Sequence, residues 1–125
     1  MNKYKGTFIT FEGGEATGKT TQIRMIKKWL DLNKVKYILT REPGGTIVGE
    51  KLRKIILSKK NNINVNLEVL LLMSARLDHL EQVIIPALSS GKVVISDRFI
   101  DSTAVYQGYY KKYGLKKVYD FYKKK

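Results

Sequence analysis

The spacing of apolar residues changes several times along this chain, and each change predicts an element. Residues 6–11, Gly-Thr-Phe-Ile-Thr-Phe, form a short β-prone run. Apolar residues then recur at Ile23, Ile26, Trp29 and Leu30, the spacing of one helical face, which predicts a helix from about Lys19 to Asn33. Residues 35–40 read as a second strand, broken at once by Pro43, Gly44 and Gly45. Thr46 is placed to cap a helix with Val48, Leu52, Ile55 and Ile56 on one face and Glu50 four residues before Lys54. Ser58 to Asn66 is a polar loop, with Asn66 as the expected cap of a long helix beginning near Leu67. Pro86 falls inside that helical pattern and removes an N–H, so a break or kink is expected on its N-terminal side. After Ser89-Ser90-Gly91, residues 92–96 form an unalternating apolar run, as in a strand covered on both faces. Ser102 to Gly108 is expected to be helical, and Leu115, Val118, Phe121 and Tyr122 mark a last amphipathic helix. There is no internal repeat and no linker.

The order β-α-β-α-α-β-α predicts an α/β fold with a mainly parallel sheet and right-handed crossovers. Three polar loops then leave the carboxyl ends of parallel strands, where open α/β sheets bind ligands. The first is Gly13-Gly14-Glu15-Ala16-Thr17-Gly18-Lys19-Thr20, which fits G-x-x-x-x-G-K-[ST] between a strand and a helix. Such a loop wraps backbone N–H groups around an anion, and the following helix adds its positive dipole end. Lys19 brings a cation to the outer phosphates of a nucleotide, and the Thr20 hydroxyl can ligate Mg²⁺. The other two loops bring Arg41, Asp97 and Arg98 to the same edge.

Composition narrows the class. A chain of 125 residues with 43% hydrophobic residues suits one modest packed domain. The absence of cysteine excludes a disulfide framework and Cys-type zinc sites, and fits a cytoplasmic setting. No apolar run reaches the length of a membrane span, and the N-terminus lacks a signal-peptide core. The net charge of +13 is uneven: residues 111–125 hold seven lysines and one aspartate, a net of +6. Because these lysines are mostly not interleaved with stacking aromatics, they read as solvated surface, which argues against nucleic acid as the partner.

Four segments resemble the thymidylate kinase family of P-loop nucleoside monophosphate kinases. They are residues 11–21 with the phosphate loop, Thr40-Arg41-Glu42-Pro43-Gly44-Gly45-Thr46, Ala75-Arg76 with Ile85-Pro86-Ala87-Leu88, and Asp97-Arg98-Phe99 with Ser102 and Tyr106-Gln107-Gly108. The resemblance implies a P-loop NTPase-type sheet flanked by helices and ATP-dependent phosphorylation of dTMP to dTDP, with Mg²⁺. It implies that Lys19 and the loop residues Gly13, Gly14, Glu15, Ala16, Thr17, Gly18 and Thr20 hold ATP, and that Thr20 and Asp97 attend the metal. Glu15 would face the acceptor sugar, Arg41, Arg76 and Arg98 would surround the acceptor phosphate, Tyr106 would select deoxyribose, and Gln107 would sit near the thymine. Lys19, Glu15 and Arg98 are the expected catalytic set. The resemblance also implies a homodimer through the long helix.

Plainer readings stand beside these. Arg41 could be a loop salt bridge to Glu42 or Glu50, Arg76 could pair with a neighbouring carboxylate, and Asp97 could be a helix cap. Tyr106 and Gln107 could be helix surface, and the one histidine, His79, reads as a helix-face residue rather than a base or ligand. Tyr109, Tyr110, Tyr113, Tyr119 and Tyr122 read as core or partner-facing aromatics. The chain also departs from the family. Leu72 stands where the family usually has a Phe that stacks on thymine, and Phe99 where a Tyr is more usual. Residues 1–125 read as the N-terminal portion of one P-loop kinase domain, with about three strands present and the last strands and lid missing. No arginine follows Arg98, and losing a transition-state arginine costs on the order of 10³–10⁵ in rate. The expectation is weak binding of ATP phosphates and very slow turnover of dTMP, or none. A noncatalytic nucleotide-binding fragment, or half of a split enzyme needing a second chain, is the alternative.

Overall fold

The computed structural model describes residues 4–123; the side chains of Tyr110, Phe121, Tyr122 and Lys123 lie outside the described residues, and so do the predicted roles of the first three. Three strands, β1 (Thr7–Phe11), β2 (Tyr37–Arg41) and β3 (Val93–Asp97), form a sheet in the order β1-β3-β2. Both outer strands run parallel to β3, in register, so that Phe11, Asp97 and Arg41 end the three strands in one row. The predicted sheet and its central apolar strand are therefore both present. Val94, Ile95 and Ser96 are fully buried, as a strand covered on both faces requires.

Successive residues of β3 face opposite sides, and each side has its own core. Ile95 packs with Ile23 and Leu30 of helix α1 (Lys19–Leu32). Val94 packs with Ile84, Ala87 and Leu88. β2 begins two residues later than the sequence pattern suggests. The Val35 N–H is spent closing α1, donating to Leu30 O at 2.9 Å, after Lys34 turns the chain with φ of 54°.

Helix α2 (Ile47–Leu57) is capped by Thr46, whose Oγ1 accepts from Gly49 N at 2.8 Å. Its expected apolar face is only half used. Leu52 and Ile56 are partly covered where α2 packs on the next helix, while Val48 and Ile55 remain exposed. Glu50 turns to Arg41 and Gly45. After a short 3₁₀ turn (Lys59–Asn61), helix α3 (Val65–His79) starts two residues earlier than expected. Asn64, not Asn66, is its cap, accepting from Leu67 N at 2.9 Å. The earlier start puts Val65 in line with Val69, Leu72, Ala75, Arg76 and His79, the covered stripe of the helix.

A π-helical turn, Leu80–Ile84, separates α3 from α4 (Ile85–Ser89). It meets the expectation attached to Pro86: a wider turn makes room where the ring would press on the preceding carbonyls. Beyond β3, helix α5 (Ile100–Thr103) opens two residues before the predicted start and passes into a second π-helical stretch, Ala104–Tyr110. Helix α6 (Leu115–Lys123) buries Val118. No helix among the described residues is long and apolar enough to cross a membrane.

Since Ile95 joins the central strand to α1, Ile95→Ala is expected to destabilise the fold by about 3 kcal/mol. Urea unfolding monitored by circular dichroism measures this; a loss below about 1 kcal/mol would show a loosely packed interface.

Candidate functional site

The loop after β1 turns twice through conformations that favour glycine. Gly13 has φ of 153° and Gly18, the residue before α1, has φ of 83°. Thr17 closes the loop on itself, donating to Gly14 O at 2.8 Å. The loop, Lys19, Thr20, Asp97 and Arg98 line a cavity of about 430 Å³. Lys19 Nζ lies 2.6 Å from Asp97 Oδ1. That contact is an ion pair without hydrogen-bond angles, because the buried Oδ1 has no hydrogen-bond partner among the described residues. Asp97 is thus a strand-end carboxylate facing the phosphate loop, and not the cap of α5, which follows Phe99. Glu15 is exposed on the rim of this cavity.

Thr20 and Asp97 line this cavity together, one hydroxyl and one carboxylate. No cluster of three His, Cys, Asp or Glu residues is present among the described residues. This donor set fits a magnesium ion that keeps most of its ligands as water and phosphate oxygens, and does not fit an all-protein cage.

A second cavity, about 240 Å³, lies on the α3 side of the sheet. Leu72, Arg76, Arg98, Phe99, Tyr106 and Gln107 are among its walls. Arg98 lines both cavities. Its backbone is held at φ of 73°, a conformation that costs a bulky residue on the order of 1 kcal/mol. Two bonds enforce it: Arg98 N donates to Phe11 O at 2.9 Å, and Ser96 Oγ donates to Arg98 O at 2.8 Å. The Arg98 guanidinium lies 5.7 Å from the centre of the Tyr106 ring. Tyr106 in turn reaches toward the phosphate loop, its Oη being 3.7 Å from where a Cβ on Gly14 would stand.

Behind the second cavity is a buried polar node. Glu42 and Arg76 are each 4% exposed, and His79 is fully buried. Arg76 Nε donates to Glu42 Oε2 at 2.5 Å and Nη2 to Thr103 Oγ1 at 3.0 Å. His79 Nδ1 is 3.0 Å from Glu42 Oε1, and its Nε2 is 2.6 Å from Thr40 Oγ1. The guanidinium of Arg76 also stacks on Phe99, 4.8 Å from the ring centre. Arg76 therefore does pair with a carboxylate, but one from the loop after β2. His79 is a core residue, corrected from an ordinary helix-face position. Gly45, with φ of 84°, lies where a Cβ would stand 2.5 Å from the His79 ring, so the paired glycines let the loop close over it.

Arg41 lines a different cavity from Arg76 and Arg98. It lines a third cavity with Thr20, Ile23, Leu39 and Asp97, on the α1 side. Strand alternation is the reason: Arg41 and Glu42 are consecutive, and Glu42 points toward α3. Arg41 holds Glu50 through a forked contact, 2.9 Å from Nη2 to Oε2 and 3.3 Å from Nε to Oε1. That hydrogen bond, with help from Gly45 N–H, holds the Glu50 carboxyl below its usual range and raises Arg41.

The pattern reading missed Arg53. Its Nη1 donates to Pro43 O at 2.8 Å. Burial lowers its pKa, and the nearby charge of Arg41, with a smaller effect from Arg98, lowers it further. Glu50 and Asp97 act in the opposite sense, so Arg53 sits among charges of both signs. In the sequence it is hidden in the run Lys51-Leu52-Arg53-Lys54, which looks like helix surface.

A glycine-rich loop opening a helix at the carboxyl edge of a parallel sheet, with a strand-end aspartate against its lysine, defines a P-loop nucleotide-binding protein. The sequence profile described as thymidylate kinase matches residues 11–124. A thymidylate kinase from Clostridium novyi is 50% identical over 115 residues, 91% of this chain and 56% of that relative. One from Rickettsia bellii is 50% identical over 124 residues, 98% of this chain and 59% of the relative. The crystal structure of thymidylate kinase from Ehrlichia chaffeensis superposes with a TM-score of 0.82 at 38% identity, covering 92% of this chain and 65% of that one. The chain belongs to the thymidylate kinase family. It spans about half the length of the curated relatives it matches, 56% and 59% for these two.

Glu42 ties the loop after β2 to α3, and its loss would strand the buried Arg76. Glu42→Gln is expected to cost about 3 kcal/mol or more in chemical denaturation. A change under about 1 kcal/mol would show the pair to be solvated.

Proposed function

We propose that this chain carries the nucleotide sites of a thymidylate kinase, which transfers the γ-phosphoryl group of ATP to dTMP and yields dTDP. The observation that carries the reading is Arg98, one cation shared by the phosphate-loop cavity and the arginine-lined cavity beside it. Phosphoryl transfer demands in-line placement of two phosphates and stabilisation of the charge between them. A guanidinium between two such sites meets that demand.

In this reading Lys19 and the amides of the phosphate loop hold the outer ATP phosphates. Magnesium, held by Thr20 and the phosphates with Asp97 orienting its waters, supplies neutralising charge when bound. Arg98 and Arg76 receive the acceptor phosphate. Arg41 serves through Glu50, anchoring the loop that ends at Thr46. Glu15 on the rim reaches the acceptor sugar, Tyr106 crowds its 2′ position, and Leu72 and Gln107 border the base. Lys19, Glu15 and Arg98 remain the catalytic set. A cytoplasmic setting agrees with a chain that has no cysteine.

A homodimer through α3 is part of this reading. Leu67, Leu70, Ser74 and Leu77 are exposed on α3 at spacings of three, four and three, the seam of a paired helix. Leu70 is 53% exposed.

Thermal unfolding tests the sites. Mg·ATP at 100 times its Kd stabilises a binding-competent fold by about 2.7 kcal/mol, and dTMP behaves likewise. Lys19→Ala is expected to abolish the ATP shift and keep the dTMP shift; no shift with either ligand on the unaltered chain would defeat the reading. For the assembly, Leu70→Glu is expected to convert a dimer to a monomer in analytical ultracentrifugation, and an unaltered chain that sediments as a monomer at micromolar concentration would remove the dimer.

A further inference from the structure

Glu12 stands at the root of the phosphate loop, between the end of β1 and Gly13, and lines neither nucleotide cavity. Its Oε2 accepts a hydrogen bond from Ser102 Oγ of α5. Its Oε1 is sealed from solvent and has no hydrogen-bond partner among the described residues, and no cation pairs with the carboxylate there. A carboxylate oxygen left without a donor in a buried place destabilises a fold, and apolar groups of the same shape would be neutral or better. One hydroxyl does not offset that loss, so stability does not account for a carboxylate at this position.

Its partner accounts for it. Ser102 and Thr103 are consecutive in α5, a helix of four residues. Ser102 faces the phosphate-loop root through Glu12, while Thr103 Oγ1 accepts from Arg76 Nη2 at 3.0 Å, on the wall of the second cavity. The end of β1 therefore clamps the segment after β3 at two points. Phe11 O holds the Arg98 N–H at 2.9 Å, and Glu12 holds Ser102 four residues further on. One turn beyond, Tyr106 Oη stands 3.7 Å from where a Cβ on Gly14 would lie. The path Glu12–Ser102–Thr103–Arg76 thus runs without a gap from the loop that ends at Lys19 to an arginine of the neighbouring cavity.

We propose that Glu12 is a positioning residue that, through Ser102 and Thr103, fixes the spacing between the phosphate-loop cavity and the cavity walled by Arg76. The inference rests on the reading of these cavities as the ATP and dTMP sites. Transfer between two phosphates needs the reacting atoms about 3–3.5 Å apart, and a displacement of about 1 Å caused outside the chemistry costs on the order of 100-fold. A residue that acts on spacing alone changes how two ligands combine. It leaves the contacts of each ligand as they are.

The test is calorimetric titration, with magnesium, of the unaltered chain, Glu12→Gln and Glu12→Met. The ligands are ATP, dTMP, and adenosine and thymidine joined 5′ to 5′ by a pentaphosphate, a probe that must fill both cavities at their native spacing. The joined probe is expected to bind the unaltered chain about tenfold or more tighter than the better mononucleotide, because its second half binds at a high effective concentration. Glu12→Gln keeps an acceptor for Ser102 and is expected to keep that gain. Glu12→Met lets the Ser102 hydroxyl turn to a carbonyl of its own helix and is expected to reduce the gain about tenfold, with each mononucleotide within about twofold of its original affinity. A role in packing alone would weaken all three ligands alike; that result, or an unchanged gain in Glu12→Met, overturns the proposal. If Glu12→Met fails to fold, the double variant Glu12→Met with Ser102→Ala removes both polar partners and is read in the same way. An unaltered chain that binds both mononucleotides without a gain from joining them overturns the proposal and keeps the two sites. One that binds neither mononucleotide removes the two sites and the proposal together.

Discussion

The carboxylate of Glu42 is the constraint on which the site depends. Buried between Arg76 and His79, it is too costly to hold without both partners. Meeting that requirement fixes the loop after β2 against α3, and through Arg76 reaches Thr103 on α5. Three segments distant in sequence are thereby locked around one charge. The energy of such a node is modest when complete, and its value is geometric: Arg76 is held with its guanidinium on Phe99 at the cavity wall.

The sheet supplies the second constraint. Because Phe11, Asp97 and Arg41 are level in the register, the three loops that leave them begin within one row of hydrogen bonds. Glu42 N donates to Asp97 O and Arg98 N to Phe11 O, both at 2.9 Å, which stitches the loop bases together. The strained backbone of Arg98 is a result of that stitching. It turns the arginine to the junction of the two cavities, where a relaxed backbone would have continued the strand.

Alternation along the strands then sorts the charges. One face receives Arg41 beside Ile23 of α1; the other receives Glu42, Arg76 and the Gln107–Glu68 pair. Each face has its own hydrophobic backing, Ile23 and Leu30 on one and Ile84, Ala87 and Leu88 on the other. Packing and chemistry are therefore divided by the same period of two.

The linear order of residues determined the parallel sheet, the unalternating central strand, the Thr46 cap, the interruption before Pro86 and the phosphate loop. Each rests on local spacing or on the conformational limits of Gly, Pro and Thr, which act within a few residues. Tertiary structure decided which of two asparagines caps α3, how Val35 is used, and which arginines meet. Two caps of equal chemistry are separated only by the stripe that must face the core. The parting of Arg41 from Arg76 follows from which side of the sheet a strand-end residue faces, a choice fixed by register across fifty residues. Arg53, the buried His79 and the Gln107–Glu68 hydrogen bond were invisible for the same reason: their partners come from other elements, and no spacing along the chain records a contact made across the fold.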